Sequence, residues 1–373
     1  MTSPCDLLAV LRETGALPAG SPWESAVAGV RRELFLPDTV ETDGRLISRA
    51  AQPESWLACV YADLPLTTQF NDGSGPDDGY RLPTSSSSMP SVMLQMLGLL
   101  RVEDGHRVLE AGTGTGYNAA WLAHRIGSHR VTSVDIDPVL ADRATANTAA
   151  AGYTPRIVCA DADLGWPPGA PYDRLIATYT VPAIPPAWIE QTEGGRIVAP
   201  WGGSFFPHSF AALEVAGGVG RGRFSGFPAF MRTRNHRPHR GYLDEFVRPS
   251  DSTATTRTAV NPWDLAADSD ALFCVGLRLP TVWHLLDRTD EASGAATLWM
   301  LADDRDSWAS VTYRPGRGTH TVEQHGPRRL WDEAESAYEE WRSLGRPARD
   351  RMGLTVTAEG ERVWLDTEDH LLT

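Results

Sequence analysis

Apolar and polar positions along residues 107–200 repeat with two different periods. Short apolar runs at 108–109, 131–134, 156–159, 172–178 and 195–200 read as strands, and segments of helical spacing lie between them at 118–126, 139–150 and 185–192. Such alternation predicts an α/β fold: a doubly wound, mostly parallel, Rossmann-like sheet covered on both faces, with its ligand at the carboxyl ends of the strands. Upstream, residues 6–28 have helical spacing in parts, and Arg31-Arg32-Glu33-Leu34-Phe35-Leu36-Pro37 closes that region at a proline. A polar Gly/Pro/Asp-rich loop at 71–83 and a serine run at 85–88 precede an apolar helix at 92–100, started by Pro90 and expected to be capped by a serine. Composition shifts near Pro249: residues 249–262 read as a Ser/Thr/Ala-rich linker, and residues 263–373 hold seven of the 13 tryptophans. Short strands at 298–301, 308–313, 354–357 and 363–365 join a helix on which Trp331, Ala334, Tyr338 and Trp341 recur at three and four, an apolar stripe suited to a core. The organisation expected is an N-terminal helical and loop segment (1–90), a ligand-binding core (91–248), a linker (249–262) and a smaller α+β C-terminal domain (263–373), open to a role in substrate recognition.

Candidate chemistry concentrates where the first core strand ends. Residues 108–117 read Val-Leu-Glu-Ala-Gly-Thr-Gly-Thr-Gly-Tyr, and the second strand ends at Asp135. Glycine at 112, 114 and 116 lets the backbone turn tightly and approach a ligand, while the next helix points free N–H groups at the site. A dinucleotide enzyme requires Gly-x-Gly-x-x-Gly; here the third glycine comes one place early and Tyr117 fills the slot a pyrophosphate would need. A tight turn alone would explain the glycines, but Glu110, Asp135 and Asp161 stand in register around them, which points to a cradle for S-adenosylmethionine.

Composition narrows the substrate. The formal net charge of −14 argues against nucleic acid, which is held by clustered basic side chains, and every fixed positive side-chain charge is arginine because the chain has no lysine. No apolar run approaches a membrane span and the first residues do not read as a signal peptide, so a cytoplasmic location with no membrane partner is expected. Cys5, Cys59, Cys159 and Cys274 form no C-x-x-C pair, and the histidines, His106, His124 and His129 among them, lack metal-ligand spacing, so no metal is expected.

In this order the segments resemble the protein-L-isoaspartate O-methyltransferase family. The matching text is Val30 to Pro37, Ser88-Met89-Pro90, Arg107 to Ala120, Val134-Asp135-Ile136, Asp161-Ala162-Asp163-Leu164-Gly165-Trp166, Pro171 to Ile176, Ile184 to Gln191 and Gly194 to Pro200, within roughly residues 25–235. The resemblance implies S-adenosylmethionine as cofactor, S-adenosylhomocysteine as product, and a peptide or protein acceptor bearing Asp or isoaspartate. It implies a cofactor site of Glu110, Gly112, Thr113, Gly114, Gly116, Tyr117, Asp135, Ile136, Asp161, Ala162 and Thr178, with Ser88 at the acceptor carboxylate; the helix N-terminal amides after Pro90 are expected to hold that carboxylate with it, and Ser86 and Ser87 to help. Two departures bear on substrate. Where repair enzymes usually read Gly-x-Thr-Ile-Ser-x-Pro, this chain has Ser85-Ser86-Ser87-Ser88-Met89-Pro90, and where they read Gly-Asp-Gly it has Ala160-Asp161-Ala162. The serine run and the Trp-rich extension resemble the offshoot associated with ribosomally made peptides, in lanthipeptide and ATP-grasp-ligase systems, which methylates an aspartate side chain of a modified precursor.

A carboxylate acceptor is already ionised at neutral pH, so the absence of a His-Asp pair is no objection; alignment in a dry site is what methyl transfer requires. Alternatives are repair of isoaspartate in damaged proteins, a small-molecule methyltransferase, and a non-enzymatic cofactor-binding peptide scaffold. A basic cluster, Arg232, Arg234, His236, Arg237, His239 and Arg240, either balances local acids as a solvated loop or steers an acidic peptide. On the second reading Arg232, Arg234 and Arg237, with Thr180, are candidate substrate-binding residues.

Overall fold

The computed structural model describes residues 3–74, 81–237, 241–288 and 294–372. The chain opens with helices α1 (Pro4–Glu13) and α2 (Glu24–Gly29), strands β1 (Thr39–Thr42) and β2 (Arg45–Ser48), helix α3 (Pro53–Val60), strand β3 (Leu66–Phe70), strand β4 (Pro83–Ser87) and helix α4 (Pro90–Leu100). The four strands form an antiparallel sheet in the order β2-β1-β3-β4. The serine run expected as loop and cap is therefore strand β4, and the N-cap of α4 is Met89, with no side-chain cap. Serine-rich text has no hydrophobic alternation, so pairing with β3, invisible in the local sequence, made this strand.

The core follows as β5 (Val108–Ala111), α5 (Tyr117–Ile126), β6 (Val131–Asp135), α6 (Pro138–Ala150), β7 (Arg156–Cys159), β8 (Arg174–Ala177), α7 (Pro186–Gln191) and β9 (Arg196–Trp201). Strand β5 pairs in parallel with β6 and β8, β6 with β7, and β8 with β9. Alternate residues feed opposite sides: Val108, Ile176 and Val198 join an apolar cluster with Leu7, Trp56 and Trp121, while Leu109, Leu175 and Ile197 join one with Trp188 and Phe273. Burial on both faces is why these strands read as continuous apolar runs.

Antiparallel β10 (Ser209–Ala216) and β11 (Val219–Ser225) extend the sheet. Beyond them lie β12 (Ala254–Thr258), α8 (Pro262–Ala267), α9 (Ser269–Arg278), β13 (Val282–Asp287), β14 (Ala296–Ala302), β15 (Trp308–Tyr313), β16 (His320–His325), α10 (Leu330–Ser343), β17 (Met352–Thr357) and β18 (Gly360–Leu365). Strands β12 to β16 form a separate antiparallel sheet, but β17 and β18 return to complete the main one, whose order is β18-β17-β11-β10-β9-β8-β5-β6-β7.

Two boundaries expected from sequence move accordingly. The linker at 249–262 contains β12, an exposed edge strand paired with β16, whose Thr-rich text carries no buried face to betray it. Residues 263–373 are divided between two sheets, and Trp331, Trp341, Leu354 and Val363 share one apolar cluster with Leu175 and Ile197 of the core. Among the described residues no helix is long and apolar enough to cross a membrane.

Candidate functional site

At the carboxyl end of β5 the chain enters the glycine turn. Glu110, with no exposed surface, accepts from Asn118 Nδ2 (2.7 Å) and Ser133 Oγ (2.5 Å), and burial pushes its carboxyl up to about 7. Gly112 sits at φ +92°, where a Cβ would lie 2.6 Å from Thr178 Oγ1 and 2.9 Å from the Tyr179 ring. The Gly114 amide donates to Asp135 Oδ2 (2.8 Å) and the Asp137 amide to Oδ1 (3.0 Å). Burial raises the Asp135 carboxyl while these two amides oppose the shift. Gly116 serves packing instead: a Cβ there would meet Ala144 Cβ and Thr148 Cγ2 of α6 at 3.2 Å.

Facing this turn is β4. Ser85, Ser86 and Ser88 line the cavity between the two walls, whereas the buried Ser87 hydroxyl turns away and accepts from Arg32 Nε (3.1 Å). Ser87 is thus no helper at the site, because its hydroxyl is committed to the buried Arg32 guanidinium. The hydroxyls of Ser86 and Ser88 have no partner among the described residues, nor does the Met89 amide. Of the helix amides expected to assist, that of Ser91 is taken by Asp63 Oδ1 (2.8 Å).

A third wall comes from residues 227–237. It is tied to the end of β8 by Thr180, whose amide donates to the Met231 carbonyl (2.8 Å) and whose carbonyl accepts from the Thr233 amide (2.9 Å). Arg234 pairs with Asp137 (2.9 Å) and Asp72 (3.1 Å) and donates to Gln69 Oε1 (3.0 Å), and Arg237 pairs with Asp72 (3.2 Å). Asn235 Nδ2 donates to Asp161 Oδ2 (2.9 Å). The basic cluster therefore balances local acids, with Arg234 and Arg237 engaged inside the molecule, so the expectation that they steer an acidic peptide does not fit this arrangement. Thr180 is fully buried with its hydroxyl toward the Pro207 and Phe230 carbonyls, not at a substrate. Arg232 does line the cavity, and His239 and Arg240 lie outside the described residues.

The cavity volume is about 380 Å³, within the range of small-molecule sites. Its lining includes Glu110, Gly112, Thr113, Gly114, Tyr117, Asp135, Ile136, Asp161, Ala162 and Thr178, so all of the expected cofactor set except Gly116 meets in one place. A Cβ-free backbone at Gly112, two carboxylates at Asp135 and Asp161, and the apolar surfaces of Ile136, Leu140 and Ala162 suit a ligand that combines a ribose, a base and an amino-acid tail. Sequence reasoning missed Tyr179, whose hydroxyl donates to Asp163 Oδ1 (3.0 Å), and Phe227, 58% exposed at the rim. Tyr179 follows Thr178 at a strand's carboxyl end, a position that could have flagged it; Phe227 had no local signal.

The protein-L-isoaspartate(D-aspartate) O-methyltransferase family model matches residues 45–207. Protein-L-isoaspartate O-methyltransferase 1 of Archaeoglobus fulgidus is 38% identical over 177 residues, 46% of this chain and 76% of that protein. The Methanoculleus marisnigri protein-L-isoaspartate O-methyltransferase is 44% identical over 180 residues, 48% of this chain and 68% of that protein. A solved structure titled protein-L-isoaspartate O-methyltransferase shares the fold at a TM-score of 0.56 and 20% identity, covering 98% of this chain and all of its own. That likeness of fold extends over the C-terminal region, beyond the family model's match.

Proposed function

The chain belongs to the protein-L-isoaspartate O-methyltransferase family, and from that premise we propose that it esterifies an aspartate side-chain carboxylate of a ribosomally made, modified precursor peptide. It is an S-adenosylmethionine-dependent carboxyl O-methyltransferase of the Rossmann-like class. When bound, S-adenosylmethionine supplies an electrophilic methyl group and leaves as S-adenosylhomocysteine. Glu110, the 112–115 turn, Asp135, Ile136, Asp161, Ala162 and Thr178 are the residues that would hold it.

The observation that carries the acceptor reading is the pair of hydroxyls, Ser86 and Ser88, without partners among the described residues, on the wall opposite the glycine turn. They donate to an acceptor carboxylate that is already ionised, so no residue has to remove a proton. The segment 227–237 lies over the site, and alignment of the reacting groups at near-attack distance is worth roughly 7 to 11 kcal/mol. The esterified side chain then presents a good leaving group to the next backbone nitrogen. That nitrogen attacks the ester carbonyl, methanol departs, and an aspartimide results, which water opens largely to isoaspartate.

A modified peptide is favoured over a damaged protein by the serine run in place of the usual Gly-x-Thr-Ile-Ser-x-Pro. Repair of isoaspartate is the second reading, favoured by the names of relatives 38% and 44% identical. Mass spectrometry after incubation with S-adenosylmethionine separates them. A gain of one methyl group followed by loss of methanol, confined to a cyclised aspartyl peptide, is expected; methylation of a linear isoaspartyl peptide alone would overturn the tailoring reading in favour of repair.

A further inference from the structure

Arg32 has no exposed surface, yet among the described residues no carboxylate lies within ion-pair distance of its guanidinium, Asp63 acting on it only from farther away. Its donors go to six uncharged oxygens: Nε to the Ser87 hydroxyl (3.1 Å), Nη1 to the Val60 and Ala62 carbonyls (3.1 and 3.2 Å), and Nη2 to the carbonyls of Leu64 (2.9 Å), Ser87 (3.1 Å) and Ser88 (2.9 Å). A buried cation is ordinarily paired, because taking a lone charge out of water is costly. Burial lowers its pKa only to about 10, so the charge persists at neutral pH. It also lies over the ring of Tyr117, 5.7 Å from the centroid, and Tyr117 lines the cavity.

The bond to the Ser88 carbonyl connects this charge to the site. A trans peptide carries its N–H on the edge opposite its C=O, so the Ser88–Met89 unit accepts from Arg32 on one edge and offers the Met89 amide on the other. That amide has no partner among the described residues, and both Ser88 and Met89 line the cavity. A charge-assisted bond to the carbonyl polarises the whole unit and strengthens its free donor.

We propose that Arg32 is a positioning residue for the acceptor: it fixes the Ser87-Ser88 strand end and polarises the Ser88–Met89 peptide, so that the Ser88 hydroxyl and Met89 amide together hold an anionic carboxylate. The proposal rests on the reading of Ser88 as an acceptor contact. Asp63 acts on the guanidinium from beyond ion-pair distance and itself accepts from the Ser91 amide, so no direct ion pair competes with an acceptor carboxylate arriving beside Ser88 and Met89.

The test compares wild type with Arg32→Lys, Arg32→Met and Ser88→Ala, using an isoaspartyl peptide, or the cyclised aspartyl peptide if that is the one methylated. For each protein the KM of the acid peptide is set against the inhibition constant of the same peptide with its acceptor carboxyl amidated, and cofactor affinity is measured by calorimetry. Arg32→Met is expected to raise the acid peptide's KM at least tenfold and to bring the acid-to-amide preference near unity, with cofactor affinity within about twofold of wild type. Arg32→Lys, which keeps the charge but has three donors, is expected to retain a good part of that preference, and it supplies the measurement should Arg32→Met not fold. A merely structural role would lower thermal stability and leave the acid-to-amide ratio intact; that result in both Arg32 variants, while Ser88→Ala destroys the preference, overturns the Arg32 proposal alone. An unchanged acceptor KM in Ser88→Ala overturns the acceptor reading beneath it.

Discussion

Glu110 is a carboxyl group folded into a place without water, held by Asn118 and Ser133, and its chemistry follows from that burial. Since its folded pKa is raised to about 7 from an ordinary 4.5, the native protein holds a proton there that the unfolded chain has released over that interval. Its contribution to stability is therefore greatest below the unfolded pKa and is lost as pH rises through about 7. Glu110→Gln removes the titration. In the apoprotein the variant is expected to gain on wild type, by on the order of 3 kcal/mol at full ionisation, between about pH 5 and pH 8, read by thermal melts across that range. Parallel melting curves for the two proteins would show that the carboxyl does not titrate there. At this scale the sequence was legible: an acid ending an apolar strand before a glycine turn announced Glu110, and Asp135 likewise, because each depends on a local pattern. Ser87 was not, since whether a serine in a run of four faces a cavity or an arginine depends on strand pleat and on a partner 55 residues away.

Among the elements, the segment 227–237 does the least by itself and the most by its contacts. It has a single short 3₁₀ turn (Arg234–His236), and it is held over the cavity by Arg234 and Arg237 on Asp72 and Asp137, and by Asn235 on Asp161. Partly exposed ion pairs contribute little each, about 0.2 to 1 kcal/mol, so the roof opens far more readily than the sheet unfolds. Arg234→Ala removes contacts to three side chains at once. Hydrogen exchange of the 231–237 amides is expected to speed up at least several-fold in that variant while strands β5 to β9 keep their protection, with a weaker version of the same change in wild type at high salt. Equal protection in both proteins would assign the roof's order to its backbone bonds with Thr180 instead. The core helices and parallel strands were visible in sequence through their periods. Strands β1 to β4, β10 to β13 and β16 were not: β4 and β12 are rich in Ser and Thr and carry weak alternation, whereas β10 is an apolar, largely buried interior strand whose place beside β9 only the sheet pairing reveals.

For the molecule as a whole, the C-terminal region is part of the catalytic unit's structure. Strands β17 and β18 close the main sheet beyond β11, and Trp331, Trp341 and Phe273 share one apolar cluster with the inner face of β5, β8 and β9. A chain ending at residue 248, the boundary that composition suggests, would expose that face and leave β11 as an open edge. It is expected to be insoluble or to lack near-ultraviolet circular dichroism while keeping helical far-ultraviolet signal. A cooperative melt of the truncated chain, with cofactor still bound in calorimetry, would show instead that residues 1–248 fold alone.

The sequence by itself determined the alternating core, the glycine turn with Glu110 and Asp135, and the family to which the chain belongs, because each is written in neighbouring residues whose backbone demands are local. Tertiary structure alone decided which serines face the cavity, that Arg234 and Arg237 spend their charge on Asp72 and Asp137, that Arg32 sits behind Ser88 with its donors on uncharged oxygens, and that the last two strands belong to the main sheet. Those outcomes turn on strand register and on pairings far apart in the chain, and no local period encodes them.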